Sequence, residues 1–126
     1  MERYGQGPNT RIHLMYRDAS NYKHTAELVV AGTFDDAAVA RAEAALDRGV
    51  WLVVPQFAEH LGGYVPDPRQ MMLERYAECD DDHCWVELTA VEATDSTPPG
   101  EAAAADVVAA LEACAAEGWN DVDPYG

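Results

Sequence analysis

The chain has 126 residues, a length that suits one domain, and a hydrophobic share of 48% excludes disorder throughout. Its 23 acidic residues against 8 Lys and Arg give a formal net charge of −15 at pH 7, which disfavours direct binding to nucleic acid. No apolar run approaches the ~20 residues that span a bilayer, and the start lacks an apolar signal segment. We therefore expect a cytoplasmic protein without a membrane partner.

Charge is unevenly distributed along the sequence. All 8 basic residues lie within residues 1–75, whereas thirteen acidic residues lie within residues 78–126. A field of one sign attracts basic protein surfaces and repels phosphate backbones, so a basic protein is the expected partner. The odd number of cysteines, 3, indicates free thiols in a reducing compartment.

The first third of the sequence predicts an arm and a hairpin. Residues 1–10 are polar with Gly and Pro, which is typical of a flexible N-terminal arm. Residues 11–18 and 24–31 alternate between apolar and polar positions, and each pattern predicts a half-buried strand. Turn-forming residues from Asp18 to Asn21 separate them, which favours an antiparallel hairpin.

The middle of the sequence predicts a helix and a buried strand. Thr33 with Asp36 resembles a capping box, the apolar stripe predicts a helix over 34–48, and Gly49 ends it. Residues 50–54 are apolar on both faces, which predicts a central strand. Pro55 then suits the first turn of a short helix that ends at His60.

The second half predicts two further helices and one strand. A short helix is expected over 69–78, an acidic turn over 79–83 and an alternating strand over 85–92. The order is then β-β-α-β-α-α-β-α, which predicts an α+β fold: a small, mostly antiparallel sheet of about four strands with helices packed on one face. The predicted organisation is a flexible arm (1–10), an α+β core (11–93), a linker (94–100), a C-terminal helix packing on the core (101–118) and an acidic tail (119–126).

Several short motifs occur in a fixed order. Together they resemble a small uncharacterised family of bacterial and phage proteins with an Asn-Tyr-Lys hairpin and an Asp-His-x-Trp-x-Glu-Leu strand. The resemblance spans about residues 11–89 and breaks after residue 56, where Phe-Ala-Glu-His follows. It implies the same element order and a bacterial or phage origin, and it carries over no activity. The motifs are Asn21-Tyr22-Lys23, Leu46-Asp47-Arg48-Gly49, Pro55-Gln56 and Asp82-His83-Cys84-Trp85-Val86-Glu87-Leu88.

The leading functional hypothesis is a non-enzymatic interaction protein. Its acidic C-terminal part would dock on a basic partner, and nucleic-acid mimicry is one form of such docking. The competing explanation is that the acids only keep the chain soluble. The candidate acidic surface comprises Asp80, Asp81, Asp82, Asp121 and Asp123.

The second hypothesis is a domain that binds a small ligand or nucleotide in an aromatic pocket between the sheet and residues 55–76. The expected walls are Trp51, Phe57, Tyr64, Tyr76 and Trp85, and the competing explanation is that these rings form the core. The hairpin tip could also grip a phosphate or carboxylate, although the same residues suit an ordinary turn. The candidate binding residues are Arg17, Asn21, Tyr22, Lys23, Gln56, His83 and Trp85.

The third and lowest-ranked hypothesis is an enzyme assisted by a metal ion at Cys79, His83 and Cys84. These residues lack the Cys-x-x-Cys spacing that tetrahedral zinc sites favour, and three consecutive Asp lack the Gly and Glu positions of a calcium loop. No catalytic residue, metal ligand or cofactor is therefore predicted, and the enzymatic reading is disfavoured without being excluded.

Overall fold

The computed structural model describes residues 1–17, 22–75 and 83–121, with the side chains of 72–75 left out. It has a mixed five-stranded sheet and four helices, which confirms the predicted α+β class. Among these residues no helix has the length and apolar character needed to cross a membrane. The elements in chain order are β1 (Glu2–Gly5), β2 (Asn9–Arg17), β3 (Lys23–Ala31), α1 (Asp36–Ala45), β4 (Trp51–Leu52), α2 (Val54–Leu61), α3 (Pro68–Arg75), β5 (Val86–Thr94) and α4 (Ala104–Glu117).

The sheet order is β1-β5-β2-β3, so β5 and β2 are central and β3 is an edge strand. Strands β2 and β3 form the predicted antiparallel hairpin, and β5 pairs with β2 from the other side. The far edge of β5 is shared: β4 pairs antiparallel with its start, and β1 pairs parallel with its second half.

Alternating burial decides which face of the sheet the helices cover. Ile12, Leu14 and Tyr16 of β2 are at most 1% exposed, whereas the residues between them are half-buried. The buried face packs with apolar side chains of α1, α2 and α4 in one hydrophobic cluster, so the helices lie on one face. Because side chains alternate across a strand, the other face presents Arg11, His13 and their neighbours.

The N-terminal residues form a strand and not the flexible arm predicted for 1–10. All four residues of β1 are exposed, so they carry no hydrophobic alternation, and backbone pairing to β5 holds them. Arg3 adds a 3.1 Å hydrogen bond to the Phe34 carbonyl and a 2.6 Å ion pair with Asp36. Gly5 runs so close to β5 that a Cβ there would collide with the Ala93 carbonyl.

Helix α1 begins later than the capping-box pattern indicated. The cap is Asp35, whose carboxylate accepts a 2.7 Å hydrogen bond from the Ala38 amide, and the helix covers Asp36–Ala45 within the predicted 34–48. The predicted strand over 50–54 is reduced to Trp51–Leu52, because α2 already starts at Val54, one residue before Pro55. This short β4 lies beside β5 and not in the centre of the sheet.

The C-terminal part largely follows the prediction. Helix α4 covers Ala104–Glu117 inside the predicted 101–118 and buries one apolar stripe. Trp119 anchors the start of the predicted tail, because its indole N–H donates a 2.8 Å hydrogen bond to the Ala45 carbonyl. The hairpin tip with Asn21, and several other predicted site residues, lie outside the described part: Tyr76, Cys79, Asp80, Asp81, Asp82 and Asp123.

Candidate functional site

An open cleft of about 480 Å³ lies at the end of the sheet where β2, β4 and β5 meet. We call it the tryptophan cleft, because two half-buried indoles are its largest side chains. Four of its residues, at positions 17, 51, 83 and 85, were assigned to an aromatic ligand pocket from the sequence. Its lining residues are Arg17, Asp47, Arg48, Trp51, His83, Trp85, Glu87 and Asp121.

The register between β4 and β5 brings the aromatic and acidic side chains together. Trp51 lies directly opposite Glu87, and its neighbour Leu52 lies opposite Val86 in the core. Trp85 precedes Glu87 by two residues, so both project to the same side of the strand. The cleft thus has a carboxylate with an indole across the strand pair and another along the strand.

A tight turn carries an arginine to the rim of the cleft. The Val50 amide donates to the Asp47 carbonyl at 3.1 Å, and the two central residues, Arg48 and Gly49, have φ of 51° and 74°. Two positive φ values define a type I′ turn, in which Asn-Gly is the favoured pair. Arg48 is the one non-glycine residue with positive φ in the described part, and such strain concentrates at functional sites.

The floor of the cleft contains a carboxylate whose hydrogen bonding is incomplete. The Arg17 Nε lies 3.9 Å from the Glu87 Oε2, an ion pair that is too long to be a hydrogen bond. Oε2 is buried and has no hydrogen-bond donor among the described residues. A buried acceptor without a donor costs roughly 1–3 kcal/mol, so the site favours a ligand that brings an N–H or O–H to this atom.

His83 holds the chain that precedes β5. Its Nε2–H donates to the Arg17 carbonyl at 2.9 Å, and its Nδ1 accepts from the Trp85 amide at 3.0 Å. Because an amide can only donate and a carbonyl can only accept, these bonds select the neutral tautomer that is protonated on Nε2. The His83 carbonyl also accepts from the Tyr16 hydroxyl at 2.7 Å and from Arg69 Nε at 3.0 Å. His83 is therefore a positioning residue for Trp85.

The two described thiols are buried and protonated at neutral pH. Burial raises the pKa of the Cys84 thiol, and the charge of Asp121 adds to this effect. The Cys84 sulfur lies 3.6 Å from the Asp121 carbonyl, which keeps the end of the described chain beside the cleft. Burial also raises the pKa of Cys114, in α4, to about 11. Neither thiol is poised to act as a thiolate nucleophile or metal ligand.

Polar groups around the cleft remain available to a ligand. Within the described part of the chain, Arg48 makes no hydrogen bond or ion pair, and no residue accepts the indole N–H of Trp51 or Trp85. The cleft therefore offers donors from Arg48 and both indoles and an acceptor at Glu87. Asp47, Arg48 and Glu87 occur in motifs of the family resemblance, but the sequence assigns none of them to a site.

Other candidate residues lie elsewhere. Phe57 is buried in the core, because α2 turns it toward the sheet. Gln56 links α2 to the end of α4 through bonds of 2.9 Å to Glu117 and 3.0 Å to the Gly118 carbonyl. Tyr22 is 70% exposed beside the hairpin tip, and Lys23 lies opposite Arg17 in the hairpin register. The residues of α2 that were predicted for the pocket therefore do not line the cleft, whereas the two predicted tryptophans do.

Folding also interleaves the charges that are separated in the sequence. Four acids from residues 78–126 pair with basic side chains or histidines from the N-terminal half, which leaves fewer free acids for a basic partner. The interaction hypothesis stays a prediction, with Asp121 the one candidate acid inside the described range. The pairs are Glu87 with Arg17, Glu92 with Arg11 and His13, Glu112 with Arg41, and Glu117 with His60.

Within the described ranges, no three His, Cys, Asp or Glu side chains form a group that could hold a metal ion. Cys79, one of the three residues of the metal hypothesis, lies outside those ranges. Neither a protein-family model, nor a curated protein, nor a solved structure matches this chain.

Proposed function

We propose that this protein binds a small flat nitrogen heterocycle, of the nucleobase or nucleotide class, in the tryptophan cleft, without a chemical step. The observation that carries the proposal is the Glu87 Oε2, a buried acceptor that lacks a donor among the described residues. It belongs to a cleft with two half-buried indoles, Trp51 opposite Glu87 across the strand pair and Trp85 two residues earlier in the chain. A heterocycle with ring or amino N–H groups would supply that donor.

The aromatic walls support a flat ligand. Stacking of a base on an aromatic side chain contributes about 1–3 kcal/mol and tolerates different rings, because every base has a π-face. Trp51 and Trp85 line the cleft together with Glu87, so a flat ligand that enters the cleft meets aromatic side chains. The Glu87 carboxylate would fix the orientation of the bound ring, because it accepts hydrogen bonds only from the ring edge that carries N–H groups.

The arginines support a carbonyl or phosphate on the same ligand. Guanidinium groups hydrogen-bond such oxygens in pairs and stack on flat rings. Arg48 lies at the rim, where its strained backbone holds the side chain at the cleft. Asp47 and Asp121 oppose a highly charged ligand there, so we expect the ring to contribute more affinity than the phosphate.

The proposal is tested by titrating the intrinsic tryptophan fluorescence with the four ribonucleosides and their monophosphates. Guanosine should quench most strongly, because guanine presents adjacent ring and amino N–H groups that suit one carboxylate. Glu87→Gln should weaken guanosine binding about tenfold, since the neutral amide is the weaker acceptor.

Two control variants distinguish ligand binding in the cleft from a nonspecific effect of substituting a tryptophan or removing a negative charge. Trp119 is not one of the residues that line the cleft, and its indole is bonded to the Ala45 carbonyl, so Trp119→Phe should leave the guanosine affinity unchanged. Glu101→Gln removes the same charge as Glu87→Gln at an exposed position and should leave the affinity unchanged. A flat response to every nucleoside and nucleotide at millimolar concentration would overturn the proposal.

A further inference from the structure

We infer that the free edge of β3 docks an extended basic segment of another protein as an added strand. The inference concerns a surface outside the tryptophan cleft and does not depend on what the cleft binds. The occupant is a peptide that pairs through its backbone and carries Lys or Arg at alternate positions.

The outward side of β3 carries unpaired backbone groups. The Ala31 amide points away from β2, because it donates to the Ala102 carbonyl at 3.0 Å. Since outward and inward groups alternate along an antiparallel strand, Thr25, Glu27 and Val29 also direct their N–H and C=O groups outward. Within the described residues no group bonds to them, so about 16 Å of strand edge is available.

The chain itself already uses this edge at one end. Residues 102 and 103 lie beside Ala31 and form an isolated parallel bridge with it. A backbone segment therefore fits against β3 with normal sheet geometry, and the pairing stops before Val29. An incoming strand would continue the same edge from Val29 to Thr25.

The edge lacks the features that normally prevent added pairing. Edge strands in natural proteins are commonly short, interrupted by a bulge or Pro, or protected by lysines. Strand β3 has 9 residues, pairs with β2 without a register shift and contains no Pro. Its lysine, Lys23, lies at the hairpin end, so Thr25 to Val29 stay open to a partner.

A groove of about 690 Å³ follows this edge, and we call it the β3 groove. Tyr64 stands on it with 81% of its surface exposed, the most exposed large hydrophobic side chain in the described part. Leu61 is the last residue of α2, Tyr64 and Pro66 follow it, and Pro99 precedes α4. This apolar wall would contact the side chains that an added strand directs to the helical side.

The charge of the β3 groove favours a basic peptide over a second copy of this chain. The β3 groove is lined by Glu27, Glu101 and Asp106, and none of its lining residues is basic. The Glu27 carboxylate already pairs with Arg11 at 3.3 Å across the hairpin, so Glu101 and Asp106 are the carboxylates that favour a basic peptide. The exposed ring of Tyr64 can also hold a cation over its face. A second copy of this chain fits poorly, because two molecules of net charge −15 repel each other.

The test is fluorescence anisotropy with a labelled peptide of alternating Lys and Val. The same peptide with alternate backbone nitrogens methylated should bind at least about tenfold more weakly, because it loses its strand hydrogen bonds. Glu101→Lys should weaken binding about tenfold by reversing a charge in the groove. Tyr64→Ala should weaken it about fivefold by removing the ring.

Matched controls lie on the opposite edge of the sheet. Glu2→Lys makes the same charge change on β1, and Tyr4→Ala removes an exposed ring there; both should bind the peptide as the wild type does. Equal binding of the methylated peptide, or equal weakening by Glu2→Lys and Glu101→Lys, would overturn the inference. A stable dimer in light scattering that is lost on Val29→Pro would overturn it in favour of a second copy.

Discussion

Arg48 combines an unfavourable backbone conformation with a position at the rim of a cleft. Its φ of 51° lies in the left-handed region, where an ordinary side chain costs roughly 1–2 kcal/mol. Asn tolerates this region and is the residue that precedes Gly in most type I′ turns. Arg48→Asn should therefore raise the free energy of unfolding by about 1 kcal/mol and weaken nucleotide binding. Urea unfolding and fluorescence titration measure the two effects.

Gly49 provides the matched control for this prediction. Its φ is 74° in the same turn, and a Cβ there would have ordinary room, 3.9 Å from the Glu43 carbonyl. Gly49→Ala should thus destabilise the protein by about 1 kcal/mol through backbone strain alone. An Arg48→Asn variant that is no more stable than wild type would show that the turn does not store strain at residue 48.

The residues of the cleft differ in how far the sequence reveals them. Trp51 and Trp85 stand out as aromatic residues within predicted strands, and Arg17 as a cation near the end of one. Glu87 belongs to a motif of the resemblance but is not assigned to the site, since its importance comes from a buried oxygen on a residue opposite Trp51. The conformation of Arg48 depends on how α1 ends and β4 begins, which no local pattern encodes.

The secondary-structure elements also divide into those that local sequence patterns predict and those that depend on tertiary contacts. Strand β2 alternates in burial along its whole length and β5 over its first five residues, so a period of two predicts them. Strand β1 is exposed at every position and exists because its backbone pairs with β5. Strand β4 retains two residues because α2 begins at Val54, ahead of the proline that was expected to start it.

His83 connects three elements and permits a test of how the cleft is held. His83→Ala removes the bonds to the Arg17 carbonyl and from the Trp85 amide, and it retains the backbone carbonyl that serves Tyr16 and Arg69. We expect a loss of roughly 1 kcal/mol in stability. Hydrogen exchange at the Trp85 amide should accelerate, and guanosine affinity should fall because Trp85 is no longer held.

His60 is the control for that variant. It is a surface histidine 3.1 Å from the Glu117 carboxylate, and such exposed pairs contribute little. His60→Ala should leave the exchange at Trp85 and the guanosine affinity unchanged. If His83→Ala behaves in the same way, the cleft does not need His83 to position Trp85.

At the scale of the whole molecule, folding distributes a charge that is segregated in the sequence. The chain separates its bases from thirteen of its acids, yet the sheet pairs Glu92 of β5 with Arg11 and His13 of β2. Helix packing does the same for Glu112 of α4 and Arg41 of α1. Register and helix packing set these pairs, and both are tertiary properties. Four of the thirteen acids are paired in this way and five lie outside the described residues, so the one-sided field stays a prediction.

These pairs predict how stability responds to acid. Hydrogen bonds from His13, and then from Arg11, lower the pKa of Glu92, and a hydrogen bond from Arg41 lowers that of Glu112. A depressed folded-state pKa contributes stability above the unfolded value of about 4.3, and the contribution is lost as pH falls through the folded value. Urea unfolding should therefore show Glu92→Gln less stable than wild type at neutral pH, with the difference shrinking as the pH falls below the unfolded value of about 4.3.

Glu101→Gln is the comparison that isolates the effect of pairing. Glu101 is exposed and has no hydrogen-bond or ion-pair partner among the described residues, so this variant should follow the wild type at every pH. A gap between Glu92→Gln and wild type that stays constant from neutral pH to about pH 3 would contradict the prediction. It would mean that Glu92 contributes to the free energy of unfolding through packing and not through its charge. The pairing of Glu92 with Arg11 and His13 would then add no stability.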